Sequence, residues 1–269
     1  MKNSAGLNAA DGGNLLLAID IGNSDITLGL WGEGNWKHIW RIPSVSDRPE
    51  LFFGIKIRDH FLEAALKLTD VEKIVLSSVV PNLTDKLINV VVTLFEKNPL
   101  VLGPEVYKKL PIQVMNPYEI GSDLVANAVA AFAKFNRSCI VVDFGTALTF
   151  TTLSNEGKIL GVAIAPGLKT AIKSLSQNAA KLFDVPLEMP SSALGRGTVH
   201  AIQAGTLFGY EALVLGMIKR IRTELNDDQL PVIATGGLSS VITSLKDTMK
   251  IEINLTLDGL RIIGEQNSD

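Results

Sequence analysis

The chain is poor in the residues that build metal centres and disulfide frameworks. Its 269 residues contain one cysteine, Cys139, and three scattered histidines, His38, His60 and His200. A single thiol closes no internal disulfide, and the histidines offer neither a zinc spacing nor a His-x-x-x-His pair. This composition fits a reducing cytosol, so a cytoplasmic location is expected. The chain also lacks an excess of positive charge. A formal charge of −3 and a pI near 5.7 argue against nucleic acid as a partner, because binding it needs a basic face to neutralise phosphates. Long hydrophobic runs are missing too. The longest, such as Leu15 to Ile19 and Cys139 to Val142, are strand-length and far below the roughly 18 residues of a membrane helix, so no membrane partner is expected. Residues 1–14 are small and polar without a signal-like apolar stretch, and read as a disordered leader.

What is present is ordinary globular material, with 46% hydrophobic and 20% charged residues. At roughly 150 residues per domain, the length suits one large domain or two small ones. Leu15 to Asp20 reads as a buried strand, Gly22-Asn23-Ser24 as a turn, and Ile26 to Leu30 as a second strand. A third strand is expected at Trp36–Ile42. A helix follows from Asp47, its N-cap ahead of Pro49, to Leu68. A strand at Lys73–Ser78, a helix from Pro81 to Phe95 and a short strand near Leu100 complete the first half. The second half repeats this plan. A helix over Gly121–Phe135 precedes a strand ending at Asp143, a Gly145-Thr146 turn, and strands at Leu148–Leu153 and Ile159–Ile164. Helices from Leu168, from Thr198 to Leu225, from Ser239 and near Leu257–Ile263 surround a strand at Pro231–Thr235.

Asp20 and Gly22 recur as Asp143 and Gly145, about half the chain later, with the same strand order around them. Duplicated domains place equivalent turns opposite each other, so two similar α/β domains, 15–117 and 118–269, are expected to flank a cleft. An aspartate closing a buried strand before a glycine turn suits a phosphate site: turn N–H groups hold phosphate oxygens, and Asp20 holds Mg²⁺ directly or through water. A single such turn fits a merely structural tight bend equally well. Gly236-Gly237, after Val232-Ile-Ala-Thr235, would let an adenosine lie against the backbone, or simply form a loop entry. The chain has no Gly-x-x-x-x-Gly-Lys-Ser/Thr, no Gly-x-Gly-x-x-Gly after the first strand and no Gly-x-Ser-x-Gly, which excludes P-loop, Rossmann and common hydrolase readings.

In order along the chain stand Asp20-Ile-Gly-Asn-Ser24, Ser77-Ser-Val-Val-Pro81, Asn116-Pro-x-x-x-Gly-Ser-Asp123, Asp143-Phe-Gly-Thr146, Ala165-Pro-Gly167, Thr198 and Ala234-Thr-Gly-Gly237. This series resembles the type III pantothenate kinases, of the acetate and sugar kinase, Hsp70 and actin superfamily. That family includes proteins first described as Bvg accessory factors. The resemblance implies two ribonuclease H-like domains and ATP-dependent phosphorylation of the primary hydroxyl of pantothenate, the first step towards coenzyme A. It implies a first phosphate loop over Asp20, Ile21, Gly22, Asn23, Ser24, Asp25, Ile26 and Thr27, and a second at Thr146. Asp143 would hold an activating monovalent cation, K⁺ or NH₄⁺. Asp123 would be the general base, with Gly121, Ser122, Leu124, Arg196 and Thr198 on the pantothenate side of a site completed by the partner subunit of a homodimer.

Asp123 falls in the first turn of a helix, where the helix dipole should hold its pKa low and keep it ionised at pH 7. Three positions depart from the family's pattern: Leu124 stands where arginine is usual, Val114 where an aromatic is common, and Thr151 where an acidic residue is frequent. The departures at Leu124 and Val114 fall on the acceptor side, where Arg196 or Lys169 could restore the missing charge. Kinase action on another small alcohol or sugar, or nucleotide binding without catalysis, therefore stand as alternatives.

Overall fold

A computed structural model describes residues 15–178 and 183–267; the expected leader, 1–14, lies outside them. The chain divides into two compact units, the first running to Leu102 and resuming at Ile263, the second spanning Gly103–Ile262.

The first unit is built on a five-stranded sheet in the order β3-β2-β1-β4-β5. Its centre is β1 (Leu15–Ile21), an apolar run buried on both faces, as a central strand requires. β2 (Asp25–Gly32) and β3 (Asn35–Pro43) follow antiparallel, and β4 (Val71–Ser78) and β5 (Leu100–Val101) extend the other side in parallel. α1 (Glu50–Glu63) and α2 (Pro81–Phe95) pack on it through Phe53, Ile57, Phe61, Leu83, Leu87 and Val91. Proline at the first position of α2 needs no N–H partner and presets φ, and Glu96 in a left-handed conformation ends the helix. α1 departs from expectation at both ends. Pro49, not Asp47, occupies the N-cap, and the helix stops at Glu63, where left-handed Ala65 turns the chain before a 3₁₀ turn over Leu68–Asp70.

The second unit repeats the sheet as β8-β7-β6-β9-β10. β6 (Cys139–Phe144) takes the central place of β1. β7 (Ala147–Leu153) pairs antiparallel with it and β8 (Ile159–Pro166) antiparallel with β7, while β9 (Val232–Thr235) pairs parallel with β6 and β10 (Lys250–Ile251) parallel with β9. The repeat holds at the level of register. Asp20 pairs with Thr27 and Ser77, and Asp143 with Thr149 and Thr235. The Ser77-Ser78 and Thr235-Gly236 motifs are thus topological counterparts, a relation that residue identity does not reveal.

The connector after β5 carries a short helix, α3 (Pro104–Tyr107), and is tied into the second unit rather than the first. Gln113 N–H donates to Gly157 O at 2.9 Å, and Ile159 N–H to Gln113 O at 3.0 Å. α4 (Ser122–Phe135) is buried around most of its circumference, not on one stripe. α5 (Leu168–Asn178) and α6 (Thr198–Glu224) follow β8. α6 is long and apolar enough by composition to cross a membrane, yet Leu207, Val214 and Ile218 are embedded in the second unit's core.

The helix expected from Ser239 does not form. Both the N–H and the hydroxyl of Ser239 bond to Gly236 O, at 3.1 and 2.8 Å, and i→i+3 bonds continue through Val241 and Leu245. The chain therefore closes short turns and a 3₁₀ segment over Thr243–Asp247, which still drive Ile242 and Leu245 into the core. The final helix, α7 (Leu255–Gln266), is longer than the 257–263 expected.

Gly259 of α7 lies directly against the backbone of α4, where a Cβ would collide with the carbonyl of Ala126. Neither backbone can yield cheaply. Gly259→Ala should therefore lower stability by about 1–3 kcal/mol, whereas Gly216→Ala, at an exposed point of α6 with open space around it, should raise it by about 0.5–1 kcal/mol. Urea titration of both variants checks the contrast.

Candidate active site

In the first unit, the β1–β2 turn is pinned from three sides. Gly22 N–H donates to Asp25 O at 3.0 Å, Ser44 Oγ donates to Gly22 O at 2.6 Å, and Ser44 N–H to Ser24 O at 3.0 Å. Asn23 and Ser24 stand exposed at the tip, while Asp20, Asp25 and Thr27 are half-buried at its base and Ile21 and Ile26 are buried. β3 thus serves the turn, since Ser44 follows directly on its last residue.

The corresponding β6–β7 turn is one residue shorter and is braced differently. Gly145 N–H bonds to Ala147 O at 3.1 Å. The carbonyl of Thr146 accepts from Gly167 N–H at 3.0 Å and from Thr170 Oγ1 at 2.7 Å, which ties the turn to the head of α5. Gly167 is required here, because a Cβ would fall 2.5 Å from Thr146 O. Tyr210 of α6 donates its hydroxyl to Pro166 O at 2.6 Å, fixing the same corner. The Ala165-Pro-Gly167 motif is thereby the buttress of the second turn.

Asp143 ends β6 beside this turn. Its Oδ2 accepts from Asn127 Nδ2 at 2.9 Å, and Asn127 Oδ1 accepts from Thr256 Oγ1 at 2.9 Å. Gly236 presses on the other carboxylate oxygen: with φ at +89°, a conformation suited to glycine, its Cβ would sit 2.7 Å from both Asp143 Oδ1 and Phe144 O. Gly237 is exposed in the turn beyond. Burial pushes the Asp143 carboxyl up to about 7, with the nearby Asp123 charge adding and the Asn127 amide opposing.

Asp123 stands in the first turn of α4, where Gly121 is the N-cap and Ser122 is buried. Its Oδ1 accepts the Leu124 N–H at 2.8 Å. The expectation of a low pKa is overturned. Loss of solvent raises the carboxyl above the usual carboxylate range, outweighing the backbone N–H groups that favour its charged form. The same burial, together with the Asp123 charge, drives the buried Tyr107 phenol of α3 up to about 12. Leu124 points into the protein interior, and Thr151 is buried in the middle of β7.

The second unit therefore unites Asp123, Asn127, Asp143 and Gly236. Thr198 belongs elsewhere in that unit. With Gly195, Gly197, Thr170, Ser174 and Tyr210 it lines a groove of about 980 Å³ between α5 and α6, whose walls include none of Gly121 to Leu124. Arg196 is exposed in the loop leading to that helix. Sequence reasoning missed Asn127, Thr256 and Tyr107. Asn127 had a signal, being the one polar side chain in the apolar run Leu124 to Ala131. Thr256, 129 residues further on, had none.

Among the described residues no group of three or more His, Cys, Asp or Glu side chains gathers. That excludes an all-protein cage there but suits a cation held by one carboxylate, carbonyls and substrate phosphates. Asp143 Oδ1 and Phe144 O, brought together at Gly236, are oxygen donors of the kind a hard cation takes.

Two copies of one sheet, each ending its central strand in an aspartate before a glycine turn, define an α/β protein of the ribonuclease H-like, actin-like ATPase class. MreB 5 of Spiroplasma citri, solved with AMPPNP, shares this fold at a TM-score of 0.55 and 10% identity, over 94% of this chain and 96% of its own. The family model for type III pantothenate kinase matches residues 16–220. Type III pantothenate kinases from Exiguobacterium sibiricum and Geobacter sulfurreducens are 42% and 41% identical to the chain, over 94% and 95% of it and the whole of each relative. The chain belongs to the type III pantothenate kinase family.

The raised carboxyls have a consequence for stability. A buried acid with a pKa above its unfolded value binds more protons in the native state, so stability falls as pH rises from the unfolded value, about 3.9, through about 7. At low potassium, the melting temperature should drop between pH 5 and pH 8, and Asp143→Asn should flatten that slope. Differential scanning calorimetry across this window, in potassium-free buffer, checks it.

Proposed function

We propose that the protein transfers the γ-phosphoryl group of ATP to the primary hydroxyl of pantothenate, giving 4′-phosphopantothenate for coenzyme A synthesis. The observation that carries this reading is the pairing of family membership with a buried, proton-avid Asp123 at the head of α4. A carboxylate whose proton affinity is raised accepts a hydrogen bond from the substrate alcohol and then its proton. A fixed helix start supplies the orientation, and phosphoryl transfer asks for little beyond positioning and charge neutralisation.

In this reading the loop from Asp20 to Thr27 and Thr146 hold ATP phosphates, and Gly236 and Gly237 border the nucleoside. Asp20 holds Mg²⁺ directly or through water, and Asp143 with Phe144 O holds a monovalent cation, K⁺ or NH₄⁺. These ions neutralise phosphate charge when bound. Gly121, Ser122, Leu124, Arg196 and Thr198 serve the pantothenate side. The Thr198 groove has none of Gly121 to Leu124 in its walls, which favours a homodimer in which the two come from different subunits. The reading places the enzyme in the cytoplasm.

A coupled assay with ATP, Mg²⁺ and KCl tests the reaction. Pantothenate should be turned over; phosphorylation of a hexose but not pantothenate, or ATP binding without transfer to any acceptor, would refute the reading. Asp123→Asn should lower kcat by at least about 10²-fold, the scale of general-base catalysis, while ATP affinity measured by calorimetry stays within about twofold. An equal loss of ATP affinity would instead move Asp123 to the nucleotide.

Leu124 bears on the acceptor. Its buried side chain supports a site rebuilt around an apolar residue. Leu124→Arg should then cost on the order of 2–4 kcal/mol in stability without improving KM for pantothenate, since burying the new charge outweighs what the neighbouring Asp123 carboxylate returns. Arg196→Ala should raise KM for pantothenate more than for ATP. Steady-state kinetics of the two variants decide the point.

A further inference from the structure

Asn127 is fully buried, and both ends of its amide are committed. Nδ2 reaches Asp143 Oδ2 at 2.9 Å, and Oδ1 is reached by Thr256 Oγ1 at 2.9 Å. The chemistry fixes the direction of this chain. As a cation ligand Asp143 is ionised and can only accept, so Asn127 turns its NH₂ towards it; the amide's carbonyl oxygen then faces Thr256, whose hydroxyl donates. Asp143 thereby sets which way the amide faces, and the Thr256 hydroxyl satisfies its far end and holds the side chain in place. α4, β6 and α7 each contribute one member, so the orientation of Asp143 is set by three separate elements packed together. With Oδ2 bound to Asn127, the oxygen at Gly236 beside Phe144 O is Oδ1.

We propose that Asn127, locked by Thr256, is a positioning residue that aims Asp143 Oδ1 at the activating monovalent cation. This rests on the reading of Asp143 as that cation's ligand. Asn127 and Thr256 do not touch the cation or substrates in this scheme. They hold one carboxylate oxygen so that the other is presented without reorganisation. The same constraint explains why a polar residue interrupts an otherwise apolar face of α4, where alanine or leucine would fill the space without a buried amide to satisfy.

The test measures the KCl concentration for half-maximal activation and, independently of turnover, the rise in melting temperature with KCl over equal choline chloride. Asn127→Ala should raise the half-activating concentration about ten- to hundredfold, the value of a hydrogen bond to a charged group, and shrink the potassium-specific thermal shift. KM for ATP at saturating potassium should stay near wild type. Thr256→Val should do the same to a smaller extent, and Thr256→Ser, which keeps the hydroxyl, should restore wild-type behaviour. If Asn127→Ala fails to fold, the Thr256 pair decides: equal potassium responses in Val and Ser variants overturn the proposal. So does an Asn127→Ala enzyme with reduced kcat at every potassium concentration and an unchanged half-activating value, which marks a purely structural role. Asp143→Ala separates the two claims. Loss of the potassium response there, with the response intact in Asn127→Ala, overturns the positioning role alone. A response that survives Asp143→Ala overturns the cation reading and the positioning role with it.

Discussion

Two carboxylates in one poorly solvated region govern the second unit. Burial raises the cost of ionising both, the Asp123 charge adds to that of Asp143, and among the described residues neither forms an ion pair with a Lys, Arg or His side chain. A fold that keeps two such groups together has to supply neutral donors or attract cations. Here it does the first through Asn127 and the backbone of α4, with Asp143 Oδ1 and the carbonyl of Phe144 both lying at Gly236. Much else follows from this. The one face of α4 that carries both Asp123 and Asn127, four residues apart, must turn inwards, α7 must lie close enough for Thr256 to reach, and Gly236 and Gly259 must remain glycine.

The duplication shows how one supersecondary plan is used for two local tasks. Both central strands end in an aspartate paired with a threonine on the antiparallel neighbour and a hydroxyl residue on the parallel one. The turns then diverge. The first is longer and held by Ser44 after β3; the second is tighter and held by Gly167 and Thr170 at the start of α5. The longer turn leaves exposed polar tips at Asn23 and Ser24, while the tighter one commits its carbonyl to a helix head. Within its own unit the second turn follows β6, whose Asp143 is hydrogen-bonded to Asn127 of α4.

Family membership and local chemistry meet with some tension at α4. The residue beside Asp123 is a buried leucine, Leu124, where the resemblance leads one to expect an arginine. Asp123 itself is desolvated at the head of α4, and that burial raises its proton affinity.

The sequence alone determined the repeated strand-turn-strand plan, because apolar runs of strand length ending in Asp-x-Gly are a local pattern, and it determined the ordered motifs that mark the family. Local chemistry also placed α2 and α4 within a residue or so, through Pro81 and the apolar stretch after Gly121. It failed where the deciding partner is distant. The segment after Ser239 has helix-compatible residues, but the Gly236 carbonyl captures Ser239 and closes a turn instead. The helix dipole argued for an acidic Asp123, and only the packing around it revealed that desolvation wins. Asn127 and Thr256 meet across 129 residues of chain, and the connector 103–117 joins the second unit through Gln113. Propensity and periodicity act over a few residues, whereas the solvation of a carboxylate and the partner of a buried amide are properties of everything packed around them, which tertiary structure alone brings together.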